Sequence, residues 1–177
     1  MSDIVSIELL LDPGSETRVR ADWQRLAAAG LSSMGAHTSP SNRPHITLLV
    51  RPFLGTTAFD EAVAMLPVEL TLGPPVVFRH GDRGVLARQV TPTAGLLALH
   101  RIVHRAAGPG PDAAHTAPGE WTPHVTLARR IRIDSLDDAL RLLGPEFPAT
   151  GTALRRWDSA SATVSPIRPA TSTRSDS

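Results

Sequence analysis

The chain has no cysteine in its 177 residues. That excludes a disulfide framework, a thiolate zinc or iron–sulfur site, and covalent cysteine catalysis. It also has no lysine: all 18 basic side chains are arginine, so any anion is met by planar guanidinium forks rather than by ammonium point charges. No apolar run approaches the roughly 18 residues that span a bilayer, and Met1-Ser2-Asp3-Ile4 lacks the basic-then-apolar pattern of a leader. A cytoplasmic protein without a membrane anchor is expected. The formal charge of +1 is too small for a general nucleic-acid coat, although arginines gathered in a cleft suffice to hold one phosphate.

Apolar residues make up 41% of the chain, enough for one compact domain or for two small lobes folded as a unit. An apolar run from Ile4 to Leu11 reads as a strand, stopped by the turn-forming Asp12-Pro13-Gly14. Thr17 to Ala29 then places Val19, Trp23, Leu26 and Ala27 at helical spacings, with Gly30 as a stop. A Ser-, Gly-, Pro- and Asn-rich loop, 31–42, leads into a strand from Arg43 to Val50. A short helix from Thr57 to Leu66 and strands at Val68–Leu72, Val76–Arg79 and Val85–Val90 follow, the last two joined by a turn at 80–84. The helix from Thr93 to Ala107 carries Leu96, Leu97, Leu99, Ile102, Val103 and Ala106 and ends at Gly108-Pro109. A second small-residue loop, 108–120, precedes a strand over Trp121–Arg129, a helix near Ser135–Leu143 and a strand near Thr152–Ser159. Residues 168–177 read as a disordered tail.

The two halves share one order of elements, which reads as an internal duplication. The expected architecture is α+β: a single bilobal unit over residues 1–167, with two antiparallel-rich sheets around a shared cleft and helices outside.

Seven histidines and sixteen threonines in 177 positions yield roughly 0.6 His-x-Thr triplets by chance, so one copy means little. Here both triplets, His45-Ile46-Thr47 and His124-Val125-Thr126, lie inside Pro-His-x-Thr-Leu on strand-like segments after irregular loops. On a strand, residues i and i+2 share a face. His and Thr therefore point together, while Ile46 and Leu48, and Val125 and Leu127, anchor the other face in a core. Two imidazoles across a phosphate suit phosphodiester chemistry, which removes one proton from the attacking oxygen and delivers another to the leaving oxygen. The hydroxyls of Thr47 and Thr126 are placed to donate to non-bridging oxygens. The scheme requires no metal and no cofactor.

With the paired Pro-His-Ile-Thr-Leu and Pro-His-Val-Thr-Leu motifs and the duplicated layout, the chain resembles the 2H phosphoesterase superfamily, and within it the bacterial 2′-5′ RNA ligase or RNA 2′,3′-cyclic phosphodiesterase proteins. The resemblance covers about residues 4–158. It implies a bilobal fold, hydrolysis of an RNA or nucleotide 2′,3′-cyclic phosphate and in some members reversible 2′-5′ linkage chemistry. It maps His45, Thr47, His124 and Thr126 onto the four motif positions, with Arg129 at the basic position that follows the second motif. The aromatic common just ahead of the first motif is missing, where Ser41-Asn42-Arg43 stands; Trp121 holds the corresponding place ahead of the second. Arg43, with Arg51, Arg130 and Arg132, is a further candidate for phosphate contact, and Trp121 for base stacking.

Other residues read more plainly. His100 and His104 share a helix face at i and i+4, but the intervening position that a zinc helix fills with Glu is Arg101. His37 and His115 lie in the two loops before the motifs, and Trp23 belongs to a core stripe. Two rivals stand beside cyclic-phosphate hydrolysis: 2′-5′ RNA ligation or its reversal, and a nucleotide- or RNA-binding module with little turnover. A monomer is expected.

Overall fold

A computed structural model describes residues 2–170. Seven strands and four α-helices alternate along the chain: β1 (Val5–Leu11), α1 (Pro13–Ala28), β2 (His45–Arg51), α2 (Asp60–Ala64), β3 (Val68–His80), β4 (Arg83–Val90), α3 (Ala94–Ala107), β5 (His124–Arg132), α4 (Leu136–Leu142), β6 (Phe147–Asp158) and β7 (Thr163–Ile167). Short 3-10 turns at Met34–Ala36 and Ala114–Thr116 occupy the two loops before the motif strands. Helix α1 starts one turn earlier than its apolar spacing predicts. Asp12, read as part of a stop, is its N-cap: the carboxylate accepts from the Ser15 amide at 2.9 Å, and Pro13 fills the first turn, where its missing N–H costs nothing.

Every strand pair is antiparallel, in the order β1-β2-β5-β4-β3-β6-β7, and β6 also pairs with β1. In place of the two sheets expected, all seven strands join in one hydrogen-bonded network, in which β1-β2 and β4-β5 meet at the β2–β5 contact. Strand β3 pairs with β6 over Val68–Leu72 and with β4 at Leu72 and from Pro75 onward, and β6 pairs with β3 up to Gly151 and with β1 from there. Apart from β7, which pairs only with β6, exchanging β1, β2 and β3 for β4, β5 and β6 leaves this pairing pattern unchanged.

These partner changes explain the departures from expectation. The two strands expected at Val68–Leu72 and Val76–Arg79 are one, because Gly73-Pro74-Pro75 sits where β3 leaves one partner for the other and no ladder N–H is wanted. Strand β6 begins five residues before the expected Thr152, through Phe147-Pro148-Ala149-Thr150-Gly151, a weak strand former held by pairing to β3. A Cβ at Gly151 would lie 2.7 Å from the Leu9 side chain, so only glycine lets β1 and β6 close there. Strand β7 was not expected at all. The expected disordered tail falls mostly on residues outside those described.

Beneath the strands lies one apolar core: Ile7, Leu9 and Leu11 of β1, Ile46 and Leu48 of β2, and Val125 and Leu127 of β5, covered by Val19, Trp23 and Leu26 of α1 and Leu96, Leu99 and Val103 of α3. The helices cross over: α1 packs on β5 and β6, and α3 on β2 and β3, so each covers the motif strand of the other half. Among the described residues no helix is long and apolar enough to cross a membrane.

One ion pair is fully buried in this layer. Arg88 of β4 donates from Nε to Asp22 of α1 at 2.7 Å and from Nη2 to the Gly144 carbonyl at 2.6 Å, with both side chains 1% exposed. Removing one partner of such a pair strands the other, at a cost of about 3–5 kcal/mol. Arg88→Met is expected at the low end, because Asp22 keeps Arg25 and the Gly144 amide; Asp22→Leu is expected at the high end. The double variant is expected to lose less than the sum, read from urea denaturation midpoints.

Candidate active site

Both motif strands show the alternation that the sequence predicts. His45 and Thr47 are half-buried, with Ile46 and Leu48 fully buried between and after them, and β5 repeats the pattern with His124, Val125, Thr126 and Leu127. The strands touch at the antiparallel pair Ile46–Val125, so the two histidines flank one crossing point, each toward the threonine end of the other motif.

The two imidazoles are held alike. Nδ1 of His45 lies 2.8 Å from the Arg43 carbonyl, and Nδ1 of His124 lies 2.7 Å from the Thr122 carbonyl. A carbonyl only accepts, so each Nδ1 carries a proton and each Nε2 is left out of that bond. Arg155 Nη2 also lies 3.4 Å from His45 Nδ1, but a guanidinium only donates, so the shorter carbonyl bond fixes the tautomer.

Their surroundings differ. His124 is held below the ordinary imidazole range chiefly by burial, opposed by its bond to the Thr122 carbonyl and reinforced by His115 and His45 nearby. Phe78 of β3 stands beside it, ring centroids 4.8 Å apart. His45 instead has the Glu8 carboxylate 3.6 Å from its Nε2. Glu8 is buried; it accepts from Arg155 Nε at 2.6 Å and from the Ser6 hydroxyl at 2.8 Å, and Arg155 also donates to the Ser41 carbonyl at 2.8 Å.

Sequence reasoning missed Glu8, Arg155 and Phe78. The available signal was a charge inside an apolar strand: Ser6 and Glu8 alternate with Ile7, Leu9 and Leu11, and only a paired charge tolerates such burial.

The remaining candidates are not gathered at the histidines. Arg43 is committed to Glu16 of α1, 2.7 Å from Nη2, and its guanidinium is held firmly protonated by that carboxylate. Trp121 donates from its indole N–H to the Thr47 carbonyl at 3.0 Å and stacks one face on His100, centroids 4.0 Å apart and 7° from parallel, so a base has at most its other face. Arg129 lies five residues along β5 from His124, past an irregularity in the β4–β5 ladder, and its side chain is exposed. Arg51 is buried against Asp112 and the carbonyls of Ala107 and Gly108. Arg132 is paired with Asp134, and Arg130 is exposed beyond Arg129. Of the loop histidines, His115 is brought near His124, and His37 is exposed at the end of the first 3-10 turn. His100 and His104 do not form a metal pair: their Nε2 atoms donate to the Thr116 and Leu48 carbonyls at 2.9 and 3.0 Å.

The fold is similar to that of Usb1 from Kluyveromyces marxianus: 13% identity, 94% of this chain and 98% of that one, TM-score 0.50. The same protein with uridine monophosphate aligns at TM-score 0.47, 13% identity, over 94% and 98% of the chains. A crystal structure described as a phosphoesterase aligns at 0.44, 15% identity, over 95% and 97%. No curated protein sequence matches. The family model described as the 2′-5′ RNA ligase superfamily matches residues 15–165, and the chain belongs to that superfamily, a group of 2H phosphoesterases.

His100 supplies a test of how the site is held. Burial pushes it down to about 4, opposed by its bond to the Thr116 carbonyl and aided by His104 beside it. In the unfolded chain a histidine titrates near 6.5, so as pH falls the unfolded chain takes up this proton first. The stabilisation is whole above about pH 6.5 and is lost progressively toward pH 4, on the order of 3 kcal/mol. Chemical denaturation across that range should show the decline, and His100→Gln, which keeps an N–H donor but does not titrate, should flatten it.

Proposed function

We propose that this protein is a metal-independent phosphoesterase that hydrolyses RNA-type 2′,3′-cyclic phosphates, residues 1–167 acting as one bilobal unit, with His124 as general base and His45 as general acid. The observation that carries this reading is the matched anchoring of the two Nδ1 atoms on backbone carbonyls, which leaves two Nε2 atoms on either side of one strand crossing. Nε2 of His124, held neutral by its burial, removes a proton from water. The water oxygen attacks phosphorus, the bond to one ribose oxygen breaks, and Nε2–H of a protonated His45 delivers the proton to that oxygen. Glu8 is the carboxylate facing this ring, 3.6 Å from His45 Nε2. Thr47 and Thr126 donate to the non-bridging oxygens, stabilising charge as it develops.

Family membership also supports a second reading, 2′-5′ RNA ligation or its reversal, because the same two proton transfers run with a ribose hydroxyl in place of water. A binding module with little turnover is less well supported, since binding alone does not call for two anchored proton carriers.

Each histidine is expected to contribute about 10² to 10⁴ in rate. Alanine at His45 or His124 should lower kcat on cytidine 2′,3′-cyclic phosphate by that factor, with the parent unaffected by EDTA. The acid limb of the parent's kcat/KM profile should fall below pH 6.5, the direction set by His124. Full activity in either alanine variant, or an acid limb above 6.5, would refute the assignment.

A further inference from the structure

The phosphoesterase reading uses one phosphate and leaves unexplained a basic surface that begins at His124. Strand β3 carries Phe78 against the His124 ring and continues to His80 at the hairpin tip. Facing residues of paired strands share a side of the sheet, so Phe78 and Val85 lie on one face together, as do His80 and Arg83. On β5, Arg129 and Arg130 both stand opposite Val85, because the ladder passes from Leu86–Ala128 to Gly84–Ile131 with one extra residue. A hollow of about 430 Å³ opens there, lined by His80, Asp82, Arg83, Gly84, Val85 and Arg130.

Charge is concentrated at this end. Residues 79–84 and 129–134 hold five arginines and two aspartates, a net +3 in a chain whose total is +1, so the rest of the protein is net −2. Arg132 is spent on Asp134. Arg130 is held at φ 55°, a backbone region that glycine or asparagine enters more easily. The strain turns an arginine onto the rim of the hollow, while Arg83 donates from Nη1 to its carbonyl at 3.1 Å.

We propose that the face running from Phe78 through Arg83 to Arg129 and Arg130 is a track for single-stranded RNA, which takes the nucleotides next to the reacting phosphate. It rests on the phosphoesterase reading and deepens it: the substrate class is an oligoribonucleotide end rather than a free mononucleotide. The order of chemistry along the track supports RNA over an acidic protein. A half-buried aromatic face touches the proton-transfer site, where the first base would lie, and guanidinium forks follow at increasing distance, where further phosphates would lie. On this view Arg129 binds a phosphate other than the scissile one.

The test compares kcat/KM for cytidine 2′,3′-cyclic phosphate with that for a hexaribonucleotide ending in the same group, and measures hexamer binding to the His45→Ala protein by fluorescence anisotropy at several salt concentrations. The variants are Arg83→Gln, which keeps an N–H donor for the Arg130 carbonyl, Arg130→Gly, which suits the positive φ, and their double. Arg101→Ala, at an exposed site on α3, is the charge control.

The parent is expected to prefer the hexamer at least tenfold. The double variant should lose that preference and flatten the salt slope of binding by about 1.4, roughly 0.7 for each phosphate contact, whereas Arg101→Ala should keep both. A parent with no preference, or a preference surviving in the double variant, overturns the track. Displacement of the hexamer by polyglutamate as readily as by unlabelled RNA also overturns it and assigns the surface to an acidic protein. If neither substrate is turned over, the reaction reading fails, and anisotropy alone decides the track: binding lost in the double variant upholds it, binding retained overturns it.

Discussion

The structure turns on one residue pair. β2 and β5, which carry the two motifs, meet at Ile46–Val125 and then diverge, and the space between the diverging strands is the cleft. Divergence leaves motif carbonyls without ladder partners, and a buried carbonyl without a donor is costly. Two tryptophans answer this: Trp121 donates its indole N–H to the Thr47 carbonyl at 3.0 Å, and Trp23 donates to the Thr126 carbonyl at 3.1 Å. A wider strand contact would remove the need for both, and would also close the gap in which the histidines sit.

Those indoles come with a crossed arrangement of helices. Trp23 belongs to α1, in the first half of the chain, yet serves β5 in the second; His104 of α3 serves the Leu48 carbonyl of β2 in the opposite sense. Each motif strand is thus finished by the other half's helix. The buried pair of Arg88 with Asp22 ties β4 to α1 in the same way. Half of this chain would expose an unfinished motif strand and an unpaired charge, so the pieces that position one histidine are shared with the pieces that position the other.

This sharing decides what was legible in the sequence. The motif strands could be read because both faces of each are specified locally: apolar at Ile46 and Leu48, polar at His45 and Thr47. Helix α3 could be read because its 3.6-residue stripe is complete, and the α+β class followed from the element order. Strand β6 could not be read to its start, since Pro148, Thr150 and Gly151 form a strand there only because β3 and β1 pair with them. The continuity of β3 through Pro74 and Pro75 was hidden for the same reason. At the site, the histidines and threonines were visible as a repeated motif. Glu8 and Arg155 were not, because each looks like a flaw in a strand until pairing brings the two together. Trp121 and Arg43 stood in suggestive places, but packing against His100 and pairing with Glu16 decide what they do.

Departure from symmetry between the halves gives the two histidines different surroundings. Glu8 faces Thr47 across β1 and β2, and Ala87 faces Thr126 across β4 and β5, so the two occupy matching places. Beyond them stand Arg155 beside Glu8 and Val76 beside Ala87. One histidine therefore sits over an ion pair and the other over alanine and valine, with Phe78 against its ring. Two identical imidazoles would share one proton indifferently, and either would serve as base or acid in half the molecules. A carboxylate beside His45 and an apolar wall around His124 distinguish the two proposed roles.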